Sequence, residues 1–152
     1  DYGAFLQREA GGRLAGAGSF VGTDGTVLGE HRGIVHYTIG QRKGLQLAMG
    51  KPVFVTAIRP KTNEVVIGKN EDLYTDTLFC DRINYMGAAD FAESVRAKIK
   101  IRYAHAGTMG VLEKQADGRI KCTFDVPVRA VTPGQAAVFY QDDYVLGGGT
   151  IL

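Results

Sequence analysis

The chain has 152 residues, which is enough for one ordinary domain or two small ones. Its composition is typical of a globular protein, with 45% hydrophobic and 22% charged residues, and its net charge of +2 neither requires nor excludes a nucleic-acid partner. No apolar run is long enough to span a membrane, and no signal peptide is recognisable.

Short strands separated by turns dominate the pattern. The 21 glycines and the lack of a long helical pattern predict a mainly β fold. In the first part we expect a short helix and five strands, at residues 1–10, Phe20–Val21, Val27–Leu28, Ile34–Ile39, Val53–Ile58 and Val65–Ile67. Turn residues at Thr23-Asp24-Gly25 and Arg59–Glu64 predict two hairpins. The pattern breaks near Asn70–Leu73, so we predict one domain at residues 1–71 and a second at residues 72–152.

The second domain contains a strand in which apolar and cationic residues alternate. Its predicted apolar face holds Val95, Ala97, Ile99, Ile101 and Tyr103, and its cationic face holds Arg96, Lys98, Lys100 and Arg102. Further strands are expected at Val111–Leu112, Ile120–Phe124, Val128–Val131, Ala136–Tyr140 and Tyr144–Leu146. Six short strands at regular spacing predict a small closed antiparallel β-barrel.

The four cations of this strand form the first candidate site. Successive cations would lie roughly 6.6 Å apart, close to the spacing of phosphates in a nucleic-acid strand, so the row predicts contact with an RNA backbone. Residues 93–121 hold seven Lys or Arg against three Asp or Glu, so the positive charge is concentrated here. A solvated face, or an edge strand that lysines protect from aggregation, explains the same row without a ligand.

A loop enclosed by glycines is the second candidate site. Gln41, Arg42 and Lys43 lie between Gly40 and Gly44. The glycines allow a tight turn or close approach to a ligand. Arg and Lys can bind phosphates, and Gln can contact a base edge or a sugar. The alternative is a surface hairpin with solvated charges, and the GxxxxGK[ST] spacing of a phosphate-binding loop is absent from the sequence.

The histidines and cysteines predict neither a catalytic group nor a metal site. His31, His36 and His105 are isolated in the sequence, so each is expected to be structural. Cys80 and Cys122 lie in no CxxC or Cys/His cluster, so no zinc site is predicted. We expect both cysteines to be reduced and buried, with one disulfide as the alternative.

Two further motifs lie near the C-terminus. Thr132-Pro133-Gly134-Gln135 predicts a turn, because Pro fixes one backbone angle and Gly permits the next conformation. Gly147-Gly148-Gly149 predicts close packing within the barrel, with the approach of another backbone or a nucleotide as the alternative.

Together, these segments resemble the bacterial and mitochondrial tRNA 2-thiouridylases. The resemblance rests on residues 33–45 with Tyr37 and Thr38, on Lys100–Tyr103 with His105, on residues 130–140 and on residues 147–151. It implies a small central β domain followed by a six-stranded barrel similar to the second domain of elongation factors.

The resemblance also implies a division of labour within a larger enzyme. In the family, an N-terminal domain adenylates the wobble uridine with ATP and magnesium, and a catalytic cysteine carries sulfur as a persulfide. This chain resembles the two later domains, so we expect a fragment that holds no cofactor, is inactive alone and binds RNA weakly or not at all. The implied partners are tRNA and a persulfide sulfur-donor protein. Neither a membrane nor DNA is an expected partner, and the expected location is the cytoplasm.

We therefore expect Gln41, Arg42 and Lys43 to position tRNA near the active site of the parent sulfurtransferase. The cationic strand residues Arg96, Lys98, Lys100 and Arg102 are expected to bind backbone phosphates. A competing function is a non-enzymatic, translation-factor-like barrel that binds RNA or protein as an adaptor. A third is a structural scaffold whose cationic strand binds nothing.

Overall fold

The computed structural model describes residues 16–86 and 93–152. Strands predominate in this part of the chain, and helix is limited to two short 3-10 segments. The chain divides into two compact units between Tyr74 and Thr75. The helix predicted at residues 1–10 lies outside the described residues. Neither of the described helices has the length and apolar character needed to cross a lipid bilayer.

The first unit contains a four-stranded mixed sheet. Its strands are β1 (Gly18–Gly22), β2 (Val27–His31), β3 (Phe54–Arg59) and β4 (Glu64–Gly68), in the spatial order β2-β1-β4-β3. The two outer pairs are antiparallel, and β1 runs parallel to β4. Both predicted hairpins are therefore confirmed. Gly25 adopts a left-handed conformation at the first turn, and Asn63 does so at the second, with φ angles of 86° and 54°.

The strand predicted at Ile34–Ile39 is wrong. Ile34–His36 instead forms a 3-10 helix, closed by backbone hydrogen bonds of 3.1 and 3.2 Å. Ile34 and Tyr37 are buried, whereas the two residues between them are exposed. Burial every third residue suits a 3-10 turn, whereas in a strand alternate residues would share the buried face.

A cluster of three rings lies in the core of the first unit. Phe20, His31 and Tyr37 contact one another edge-on, with ring centroids 5.2 to 5.6 Å apart. His31 Nδ1 accepts a 3.0 Å hydrogen bond from the Gly33 backbone N–H. The other ring nitrogen, Nε2, therefore carries the proton and donates to the Asn63 carbonyl oxygen at 2.9 Å. His31 is a structural group, as expected.

The second unit is a closed six-stranded antiparallel β-barrel, which confirms the predicted fold class. Its strands are β5 (Tyr74–Tyr85), β6 (Ser94–Lys100), β7 (Thr108–Lys114), β8 (Ile120–Arg129), β9 (Ala136–Gln141) and β10 (Tyr144–Ile151). They close in the order β10-β5-β8-β7-β6-β9.

The observed barrel strands differ from the prediction in two places. The sequence pattern does not indicate β5, because polar residues occupy Thr75–Thr77 at its start. The strands expected at Ile120–Phe124 and Val128–Val131 are one continuous strand, β8. Three successive exposed residues at positions 125–127 interrupt the alternation there without ending the strand.

The barrel core contains both cysteines. Cys80 on β5 and Cys122 on β8 are free, fully buried and part of one apolar cluster with Ile99 and Phe139. A hydrogen bond with the Cys80 thiol, followed by burial, raises the pKa of the Cys122 thiol. Both cysteines are free and buried, as predicted, and they pack as small apolar groups.

The glycine run of β10 permits close contact between strands. A Cβ atom at Gly149 would lie 2.8 Å from the Asp81 carbonyl oxygen and 3.0 Å from the Cys80 Cβ. A Cβ atom at Gly148 would lie 2.6 Å from the Ala137 carbonyl oxygen. These distances support the interpretation that the glycines serve close packing.

The turn predicted at Thr132–Gln135 is present and meets the end of the last strand. Gln135 N–H donates to the Thr132 carbonyl oxygen at 3.3 Å, and Gly134 has a φ angle of 87°. Gly134 N–H also donates to the Ile151 carbonyl oxygen at 2.7 Å, and Ile151 N–H donates to the Gln135 carbonyl oxygen at 2.8 Å. The turn thereby fixes the end of β10.

Candidate nucleic-acid interface

The Gln41 side chain braces the loop between Gly40 and Gly44. Its Oε1 accepts a 3.0 Å hydrogen bond from the Thr38 N–H, and its Nε2 donates a 2.9 Å hydrogen bond to the Lys43 carbonyl oxygen. Both glycines adopt left-handed conformations, with φ angles of 91° and 78°. The amide is therefore largely engaged within the loop, and one Nε2 hydrogen is left for a ligand.

The loop is also attached to the sheet. Gly40 N–H donates a 2.8 Å hydrogen bond to the Val55 carbonyl oxygen, and Val55 N–H donates a 2.9 Å hydrogen bond to the Gln41 carbonyl oxygen. Val55 lies on β3 and is completely buried. The loop therefore has a fixed position relative to the core of its unit.

The cations of this loop project into solvent. Arg42 and Lys43 are exposed, and no ion pair or hydrogen bond engages their side chains within residues 16–86 and 93–152. Arg42 also lines an open groove of about 610 Å³, together with the buried Leu45 and a further cation, Lys51. Lys51 is not among the residues predicted from the sequence to form this site. Its signal is the same as that of Arg42, a cation enclosed by turn residues, here Gly50 and Pro52.

Strand β6 shows the predicted alternation over only part of the predicted length. Ala97 and Ile99 are buried, Lys98 is exposed, and Lys100 is partly exposed. The predicted extension to Tyr103 is wrong, because the strand ends at Lys100 and the chain then turns. Of the three cations on β6, Lys98 and Lys100 have no ion-pair partner among the described residues.

Arg96 is already engaged by a neighbouring carboxylate. Its Nη1 and Nη2 donate hydrogen bonds of 2.8 and 2.7 Å to the two carboxylate oxygens of Asp125 on β8. These hydrogen bonds lower the pKa of the Asp125 carboxyl and raise the pKa of Arg96. A phosphate would have to compete with this bidentate pair, so Arg96 is a weaker candidate than Lys98 or Lys100.

Arg102 lies beyond β6 and anchors the turn that follows it. Its Nη1 and Nη2 donate to the carbonyl oxygens of Ala130 and Arg129, at 3.2 and 3.0 Å. The predicted four-membered row is therefore not one row, because Arg102 lies beyond the end of β6 and its guanidinium is engaged by backbone carbonyl groups. Tyr103, predicted to face the core, is instead 97% exposed at the tip of the turn.

His105 closes the same turn. Its ring Nδ1 accepts a 3.2 Å hydrogen bond from the Ile101 N–H, and the backbone N–H of His105 donates to the Arg102 carbonyl oxygen at 3.0 Å. Burial, and then the charges of Arg102 and Lys100, lower the pKa of His105. The neutral ring is therefore favoured, and His105 is a structural part of the turn.

Comparison with known families assigns both units. Residues 3–69 match the family described as the tRNA methyl transferase PRC-barrel domain. Residues 75–151 match the family described as the aminomethyltransferase beta-barrel domain. The two matches follow one another along the chain and together account for nearly all of it.

Curated relatives match the chain over its full length. A tRNA-specific 2-thiouridylase MnmA of Lachnoclostridium phytofermentans is 50% identical over 152 residues, which is 100% of this chain and 42% of the relative. Proteins of the same name from Acetivibrio thermocellus and Carboxydothermus hydrogenoformans are 44% and 45% identical over 151 residues, which is 99% of this chain and 42% and 41% of the relatives. The chain thus spans less than half the length of these relatives.

Proposed function

The chain belongs to the tRNA 2-thiouridylase family, and from this membership we propose that it is the RNA-positioning part of an ATP-dependent sulfurtransferase. The parent enzyme makes 2-thiouridine at the tRNA wobble position. The relatives bear the name of that activity and are more than twice as long as this chain, which covers 42% of the first. In this proposal, catalysis belongs to the remainder of the parent and tRNA placement to the two units described here.

The observation that carries the proposal is a braced loop with unpaired cations. Gln41 holds the loop from within, and Val55 holds it against the sheet. Little backbone freedom is therefore lost when Arg42 and Lys43 meet a phosphate. A guanidinium can bind two phosphate oxygens at once, and the neighbouring ammonium adds a second positive charge.

The residues that the structure describes, 16–86 and 93–152, do not fit the cofactor or the sulfur carrier of the parent reaction. The described helices, Ile34–His36 and Asn70–Leu73, are single 3-10 turns and are too short to provide a phosphate-binding helix N-terminus. Cys80 and Cys122 are both buried, and a hydrogen bond with the Cys80 thiol, followed by burial, raises the pKa of Cys122, whereas a persulfide carrier requires an accessible thiolate. We therefore assign ATP with magnesium, and contact with a persulfide donor protein, to other parts of the parent.

A chimera tests this proposal. The chain replaces the matching segment of the Lachnoclostridium phytofermentans relative, and formation of 2-thiouridine is measured on a tRNA transcript with an unmodified wobble uridine. Arg42→Ala should lower kcat/KM about tenfold, because a lost phosphate contact misplaces the reacting uridine. The melting temperature should not change, because the Arg42 side chain has no partner in the described fold.

Lys61→Ala is the matched control, because Lys61 is an exposed cation of the same unit on the turn between β3 and β4. It should leave both the rate and the melting temperature unchanged. Equal thiolation rates for the two variants, with native melting curves for both, would refute the proposed role of the loop.

A further inference from the structure

Tyr103 has the highest exposure of any large hydrophobic side chain in the described parts of the chain. At 97% exposure, its ring adds nothing to the barrel core. The Nζ of Lys100 lies 5.6 Å from the centre of the ring, within the range of a cation–π interaction. With a cation over one face, the opposite face of the ring is accessible to a planar ligand.

The turn that carries Tyr103 is held in place on both sides. Arg102 attaches it to the carbonyl oxygens of Arg129 and Ala130, and His105 attaches it to the Ile101 N–H. Ile101 itself is buried in the barrel. The tip residue is therefore presented from a braced turn, so little order has to be imposed on it when a ligand binds.

Cations lie beside the exposed ring. Lys98 packs its aliphatic stem over the turn, since a Cβ atom at Gly107 would lie only 2.8 Å from the Lys98 Cγ. Lys98 and Lys100 also line a groove of about 270 Å³ together with Asp142 and Asp143. These carboxylates repel phosphate from the groove, so an anionic strand is favoured on the Tyr103 side of the lysines.

We propose that Tyr103 is a stacking platform for one unpaired base of a bound RNA, with Lys98 and Lys100 contacting the neighbouring phosphates. The inference rests on the proposed RNA-binding function and adds a base contact in the second unit. The turn offers a single ring among cations rather than an apolar patch, which suits a nucleotide better than a protein surface. Stacking requires a base that is outside a helix, so the platform should favour single-stranded over paired RNA.

The test measures binding of the chimera to a short unstructured RNA and to a fully paired RNA hairpin, by fluorescence anisotropy. Tyr103→Ala should weaken single-strand binding about tenfold or more, because stacking on an aromatic ring is lost. Hairpin binding should stay within about twofold, since it depends on the cations. Tyr103→Phe keeps the ring and should keep the affinity. Tyr144→Ala removes another aromatic side chain, 76% exposed in the same unit, and should have no effect.

Three results would overturn the platform: unchanged single-strand affinity in Tyr103→Ala, an equal loss on both RNAs, or no single-strand binding by the unsubstituted chimera. The short RNA is not a thiolation substrate, so this test is independent of the enzyme assay. If Arg42→Ala lowers thiolation but Tyr103→Ala leaves single-strand binding unchanged, only the proposed platform is refuted. If Tyr103→Ala weakens single-strand binding but Arg42→Ala leaves thiolation unchanged, only the proposed role of the Arg42 loop is refuted.

Discussion

The Gln41 Nε2 donates a 2.9 Å hydrogen bond to the carbonyl oxygen of Lys43, two residues further along the chain. The Oε1 of the same side chain accepts from the Thr38 N–H at 3.0 Å. One amide thus joins both ends of the loop and leaves Arg42 exposed between them. Gln41 therefore acts as a brace for the cations, in addition to being a candidate contact for RNA.

We predict that Gln41→Ala destabilises the first unit by about 1 kcal/mol, because two hydrogen bonds of the loop are lost and replaced by water. The Thr38 amide should also exchange its hydrogen faster than in the wild type. Urea unfolding and hydrogen exchange measure the two effects. The control is Gln141→Ala, at an exposed glutamine that ends β9. If Gln41→Ala matches this control in both measurements, the brace does not exist.

Gly149→Ala should destabilise the barrel by about 1–3 kcal/mol, the range for overpacking a core. The new methyl group would lie 2.8 Å from the Asp81 carbonyl oxygen, and this backbone atom cannot move without shifting β5. Thermal unfolding measures the loss. Gly16→Ala, where a Cβ atom would meet nothing within 4 Å, should leave the melting temperature unchanged. A wild-type melting temperature for Gly149→Ala would disprove the close-packing role.

The turn after β6 should lose stability in acid. Burial and the neighbouring cations lower the pKa of His105, so the unfolded chain takes up the proton more readily than the folded one. The stabilisation is complete above the ordinary histidine pKa of about 6.5 and is lost as the pH falls through the lowered value. Protonation would also place a hydrogen on Nδ1, which accepts from the Ile101 N–H.

His105→Asn isolates this effect, because asparagine offers an acceptor oxygen and does not titrate between pH 5 and 8. We expect the melting temperature of the wild type to fall more steeply than that of the variant when the pH is lowered across this range. His31 and His36 are present in both proteins, so their contributions cancel in the comparison. Parallel pH profiles would show that His105 does not control the stability of the turn.

Much of the fold can be predicted from the sequence, because the signals of most of its strands and turns are local. In β6, the buried Ala97 and Ile99 flank the exposed Lys98, as a period of two requires. Turns such as Thr23-Asp24-Gly25 also depend on adjacent residues alone. The run Ile34–Ile39 misleads, since its β-branched residues favour a strand, whereas burial of Ile34 and Tyr37 favours a 3-10 turn.

The partners of the cations cannot be predicted in the same way. Arg96 and Asp125 are 29 residues apart, and they meet only because the barrel brings β6 and β8 near each other across β7. The carbonyl groups that hold Arg102 are 27 and 28 residues away. The sequence therefore shows which residues are charged. Only the fold distinguishes Arg96 and Arg102, whose guanidinium groups have hydrogen-bond partners, from Lys98.

The most direct test of the central claim is the salt dependence of tRNA binding by the chimera, compared with its Arg42→Ala/Lys43→Ala variant. If the loop positions tRNA through phosphates, the variant should bind more weakly at low salt. Its plot of log affinity against log salt concentration should also be shallower by roughly 1 to 2, since each lost phosphate contact removes about 0.7–0.9 from the slope. Identical affinities and slopes for the two proteins at every salt concentration would contradict the claim that this loop positions tRNA.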